Sequence, residues 1–117
     1  MNAIDEKEFD TAIEEAKNDS AQVFVKLRKP IEYNGKRYEE LSFDFDKLTG
    51  RDALAIENEI ARLGRATMVP ALSGDYIVRM AARACTEVIG IDLFDLISLK
   101  DYETIKSRAR NFLIMQE

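Results

Sequence analysis

The sequence predicts an α+β fold: an antiparallel β-hairpin packed against a mainly helical C-terminal part of three to four helices, with a short acidic N-terminal helix. Three observations carry this. Residues 23–45 alternate apolar and polar around an Asn-Gly turn, the apolar spacing changes from two to 3.6 after Thr49, and residues 1–21 hold a concentrated negative charge. At 117 residues the chain is long enough for one core and too short for two, so we divide it into an acidic arm or helix, 1–21, and a single domain, 22–117.

The arm carries seven acids (Asp5, Glu6, Glu8, Asp10, Glu14, Glu15, Asp19) against Lys7 and Lys17, a net −5. The remaining 15 acids and 15 bases cancel, so the domain is neutral. Phe9, Ala12, Ile13 and Ala16 have helical spacing, with Asp5 placed as an N-cap. An acidic end on a neutral body does not suit the phosphate backbone of a nucleic acid, and no nucleic-acid partner is expected.

In the hairpin, Val23, Val25 and Leu27 share one face and Leu41, Phe43 and Phe45 another. A two-residue turn centred on Asn34-Gly35 sets Leu27 against Ser42 and Val25 against Asp44. A three-residue loop, Tyr33-Asn34-Gly35, with a bulge sets Leu27 against Leu41, Val25 against Phe43 and Val23 against Phe45. The hydrophobic pattern therefore predicts the three-residue loop. Pro30 has no ladder donor and fits an edge or a widened end of the ribbon. Phe24 points to the polar side and asks for cover from the arm or another subunit.

Thr49-Gly50-Arg51-Asp52 has the capping-box arrangement with Asp in place of Glu, and opens a helix burying Ala53, Ile56, Ile60 and Leu63 up to Gly64. Ser73-Gly74-Asp75 opens a second helix with Ile77, Met80, Ala81, Ala84 and Val88 inward and Gly90 as its stop. Asp92-Leu93-Phe94-Asp95 starts a short helical turn. Ser98 caps a terminal helix with Tyr102, Ile105, Ala109, Phe112 and Leu113 on one side.

Little in the chain carries chemistry. It has no His, the commonest general base, and its single Cys85 reads as a small buried thiol. No catalytic residue, metal site or cofactor is expected, and no enzyme activity: the carboxylates lie scattered and no glycine pattern makes a phosphate cradle. No apolar run approaches the roughly 20 residues of a membrane span, and the first residues lack the pattern of a secretion signal, so a cytoplasmic protein is expected.

Two features suit partners instead. The connection Arg65–Ser73 is unusually apolar, and Met68, Val69, Pro70 and Leu72 either cover the core or meet a partner. Arg79 and Arg83, one helical turn apart with Glu87 a turn further, form either a solvated ladder or a partner-binding stripe.

The order of elements resembles the phage tail assembly chaperones of the E/41/14 type, encoded by tailed phages and prophages. The resemblance is carried by Leu27-Arg28-Lys29-Pro30-Ile31, the Asn34-Gly35-Lys36 turn, Tyr38-Glu39-Glu40-Leu41-Ser42-Phe43, and the helix start Thr49-Gly50-Arg51-Asp52-Ala53-Leu54. It continues in Ala81-Ala82-Arg83-Ala84, Leu99-Lys100-Asp101-Tyr102 and Asn111-Phe112-Leu113, covering roughly residues 22–115. The acidic arm and the long Arg65–Ser73 connection depart from the pattern. The resemblance implies a non-enzymatic factor acting in the cytoplasm of the bacterial host. Its implied partners are the phage tape-measure protein, which it coats, and the major tail protein, which it helps recruit. Self-association into a homo-oligomer is expected from the exposed hairpin edges. The alternative is a structural or adaptor protein retained in the phage particle.

Overall fold

Alternating residues 22–45 fold back on themselves and the elements that follow are helices and 3₁₀ turns. The computed structural model describes residues 22–115. Strands β1 (Gln22–Tyr33) and β2 (Lys36–Asp44) form a two-stranded antiparallel sheet, and Phe45–Lys47 makes a single 3₁₀ turn. Helices α1 (Gly50–Arg62), α2 (Gly74–Ala84) and α3 (Leu99–Ile114) follow, with short 3₁₀ turns at Pro70–Leu72 and Ile91–Asp95 between them. The fold is thus α+β, as the pattern predicts. The helix expected in residues 1–21 lies outside the described residues.

The core lies between one face of the hairpin and the helices. Val23, Leu41, Phe43 and Phe45 from the sheet side meet Ile56, Ile60, Ile77 and Leu93 from the helical side, each almost wholly buried. Burying such side chains stabilises by roughly 1.5–3 kcal/mol apiece. Phe45 stacks on Phe43 and on Phe112 of α3, with ring centroids 6.2 and 5.3 Å away.

The hairpin corrects the expected register. Its turn has two residues, not three: Asn34 and Gly35 have φ of +52° and +78°, and Tyr33 pairs with Lys36. Both turn residues are therefore left-handed, the arrangement that matches the strand twist. The ladder runs from there to Ile31 opposite Tyr38, then shifts. Beyond the shift Lys26 faces Glu40, Val25 faces Leu41 and Val23 faces Phe43. Residues 27–30 thus stand opposite Glu39 alone. The expected pairs Leu27–Leu41, Val25–Phe43 and Val23–Phe45 do not form. Apolar still meets apolar, because the bulge inside β1 does what the longer turn was expected to do. Pro30 lies in this bulge, in the interior of the strand rather than at its end, where its missing N–H breaks no ladder bond.

Helix α1 starts as its capping sequence predicts: the Thr49 N–H donates to the Asp52 carboxylate at 2.8 Å. It ends at Gly64, φ +76°, where the Gly64 and Arg65 N–H groups donate to the carbonyls of Ala61 and Ile60. That double bond pattern is a Schellman stop, and it needs the left-handed conformation glycine adopts freely. Ile56 and Ile60 are buried as expected, but Leu63 is exposed.

Helix α2 begins at Ser73, whose Oγ accepts from the Tyr76 N–H at 3.1 Å. It ends at Ala84, earlier than Gly90, and Val88 points to solvent instead of into the core. The reason is competition from the sheet. Cys85 turns extended and bridges Phe43, and the Thr86 N–H donates to the Ser42 carbonyl at 2.9 Å. Lys47 Nζ donates to the Cys85 carbonyl at 2.9 Å. The free side of β2 thereby takes the residues that would have continued the helix.

Gly90 has a different task from the one expected. Its N–H donates to Tyr33 Oη at 3.0 Å, and the Tyr33 hydroxyl donates to Asp92 Oδ1 at 2.8 Å. A Cβ on Gly90 would come within 2.7 Å of that carboxylate oxygen. Helix α3 starts at Ser98, whose Oγ accepts from the Asp101 N–H, and buries Ile105 and Ala109.

Candidate functional site

The Schellman stop at Gly64 sends the chain into the α1–α2 connection. There Met68 is 89%, Leu72 78% and Val69 49% exposed, with Pro70 half-buried. Leu63, at the end of α1, adds a further exposed side chain. Water contact of this much apolar surface in one short segment marks an interaction surface more readily than scattered exposed residues do.

The segment is held in place. Leu72 and Ser73 close the 3₁₀ turn by donating to the carbonyls of Val69 and Pro70. Arg65 reaches across the base of the connection to Asp75 at 2.9 Å, and Arg110 of α3 donates from Nε to the Ala71 carbonyl at 3.1 Å. The connection is therefore docked between α2 and α3 by bonds to the carbonyls of Val69, Pro70 and Ala71, with Met68, Val69 and Leu72 outward. Ordering a surface before its partner arrives lowers the entropic cost of binding. One group within it is unpaired among the described residues: Thr67 Oγ1 is buried without a hydrogen-bond partner.

The expected arginine stripe is not formed. Arg79 is 9% exposed, and its guanidinium pairs with Glu59 at 3.1 Å and Asp75 at 3.2 Å and donates to the Asp75 carbonyl. It ties α1 to α2 and offers little to a partner. Arg83 is half-exposed and pairs with Asp52 at 2.8 Å. Glu87 lies beyond the end of α2 and pairs with Lys36 at 2.7 Å, so it extends no ladder from Arg83. The Thr49 N–H, and after it Arg83, hold the Asp52 carboxyl below its usual range.

Sequence reasoning missed three exposed residues that widen the apolar surface: Leu63, Ile114 and Met115. Ile114 stands one turn beyond Arg110, the residue that holds Ala71, which places the end of α3 beside the connection. Leu63 immediately before Gly64 was the available signal, since side chains at a helix stop often leave the buried stripe.

The rest of the surface carries little chemistry. Cys85 is buried, and burial pushes its thiol up, away from the reactive thiolate. Among the described residues no cluster of three His, Cys, Asp or Glu stands ready for a metal ion. No described helix is long and apolar enough to cross a membrane. An open depression of about 590 Å³ between β2 and Thr86-Glu87 is lined by charged groups, Lys26, Lys36, Arg37, Glu39 and Glu40 among them. No family model, curated protein or solved structure matches the chain.

Proposed function

We propose that this chain is a non-enzymatic phage tail assembly chaperone that binds the tape-measure protein in the cytoplasm of the bacterial host and assists assembly of the tail tube, recruiting the major tail protein. The observation that carries the reading is the fixed, outward-facing set Met68, Val69 and Leu72 on a hairpin-plus-helices domain of the resembling pattern. A tape measure is long and helical with apolar sides. A small domain with one rigid apolar contact, repeated along such a client as a homo-oligomer, gains affinity by multivalency rather than by any single strong site.

Co-expression with the tape-measure protein of the same phage tests it. The client is expected to become soluble and to co-purify with this chain; a client that stays insoluble and apart overturns the reading. Phe24, 71% exposed on the outer face of the hairpin, favours a second reading, a structural or adaptor protein kept in the particle, since it suits a permanent contact. Stoichiometric recovery of the chain from purified virions would select that reading.

A further inference from the structure

The apolar surface around the α1–α2 connection lies in a basic environment. Residues 60–74 contain Arg62 and Arg65 and no acid, and α3 from Thr104 to Ile114 contains Lys106, Arg108 and Arg110 and no acid. Arg65 pairs with Asp75 and Lys106 with Glu103, so of these Arg62, Arg108 and Arg110 are the cations in no ion pair among the described residues. The two acids that border it, Glu59 and Asp75, are already paired with Arg79 and Arg65. In a domain whose charges sum to zero, this end is positive. The segment of opposite character is residues 1–21, net −5, with Phe9, Ala12, Ile13 and Ala16 at helical spacing.

The point at which the described chain begins brings the two within reach. Gln22 pairs with Asp44, and the next residue, Phe45, stacks on Phe112 of α3, two positions past Arg110. The open end of the hairpin therefore sits against the same half of α3 that holds the connection. Twenty residues of helix span about 30 Å, and each extended residue adds about 3.3 Å. A tether of this length keeps the arm at an effective concentration in the millimolar range.

We propose that residues 1–21 dock on their own domain, seating Phe9 and Ile13 against Met68, Val69 and Leu72, with the acids of the arm facing Arg62 and Arg108. The arm is an intramolecular occupant of the apolar surface and must leave before another partner can use it. The proposal stands without the chaperone reading; if both hold, the arm competes with the client.

The test is a full-length chain with a benzophenone amino acid at Phe9, irradiated at low micromolar concentration without any client, the crosslinked peptides being identified by mass spectrometry. Intramolecular crosslinks to 63–72 or 114–115, weakened several-fold by 0.5 M salt, are expected. Crosslinks to the outer hairpin face around Phe24, crosslinks between two copies, or none at all overturn the proposal. As a second measurement, Phe9→Asp with Ile13→Asp in the full chain should speed amide exchange at 65–73 several-fold; unchanged exchange there also overturns it. Neither readout involves the tape-measure protein, so failure here and failure of the chaperone reading are distinguishable.

Discussion

The carboxylate of Asp101 holds the backbone N–H of Arg28 with both its oxygens, at 3.1 and 2.9 Å, across 73 positions of the chain. Arg28 lies in the bulge that resets the hairpin register, where its N–H has lost a cross-strand partner. Asp101, 2% exposed, is the third residue of α3, where the helix dipole favours a carboxylate. One buried acid therefore satisfies the irregular part of β1 and locks α3 onto it.

Removing that acceptor leaves a part-buried N–H unpaired. Asp101→Ala should destabilise the protein by about 2 kcal/mol, or roughly 8–16 °C in Tm for a domain of this size, and Asp101→Asn, which keeps one oxygen, by about half as much. Thermal melts followed by circular dichroism measure both. Exposed Glu103 in the same helix is the control, with a change within about 0.5 kcal/mol on replacement by Ala.

Tyr33, Gly90 and Asp92 form one unit, and their substitutions should not add. Tyr33→Phe removes the hydroxyl that accepts from Gly90 and donates to Asp92, and Gly90→Ala displaces the Asp92 carboxylate from its place. Each is expected to cost about 1–2 kcal/mol, and the double variant little more than the larger single one. Denaturant titrations of the four proteins decide this, and simple additivity would show the contacts to be independent.

The buried hydroxyl of Thr67 has no partner among the described residues, so it contributes desolvation cost and no bond. Thr67→Val, nearly the same shape, should leave the midpoint of denaturation unchanged or raise stability by about 1 kcal/mol. A loss of 1 kcal/mol or more would mean that the hydroxyl is bonded in solution.

Asp52 links stability to pH. Its folded pKa is lowered, chiefly by the Thr49 N–H and then by Arg83, so the stabilisation it gives is complete above the unfolded value near 3.9 and is lost as pH falls through the folded value. The wild type should lose stability below about pH 4 more steeply than Asp52→Asn, measured as Tm against pH. Parallel curves would show that the cap bond does not survive in solution.

How far these features were legible in the sequence depended on whether local or distant forces made them. The caps at Thr49, Ser73 and Ser98 and the stop at Gly64 involve residues a few positions apart, and spacing reveals them. The hairpin register was misjudged although its sign was present: Tyr38-Glu39-Glu40-Leu41 breaks the period of two, both Tyr38 and Leu41 being buried. Such a break in β2 signals an irregular ladder at that level, here the bulge that β1 makes opposite Glu39, which leaves the Asn-Gly turn its usual two residues. The early end of α2 had no local sign, because Cys85 and Thr86 are drawn out of the helix by the side of β2, some forty residues away. For the same reason Arg79 read as an exposed stripe residue, since Glu59, which takes its guanidinium, is on another helix.

The apolar connection separates folding from binding more cleanly than any other part of the chain. Within residues 22–115 Met68, Val69 and Leu72 are largely exposed, so in that part of the chain replacing each by Ser removes little buried area and should cost less than about 0.5 kcal/mol per site. The bonds that fix the connection, Arg65 to Asp75 and Arg110 to the Ala71 carbonyl, use none of these side chains. The triple variant Met68→Ser, Val69→Ser, Leu72→Ser should therefore melt within a few degrees of the wild type yet fail to keep the tape-measure protein soluble. A normal melt with client solubility intact would move the contact to another surface, and the outer hairpin face with Phe24 would be the next to change. A collapsed melt would mean instead that these side chains are covered in solution and stabilise the domain.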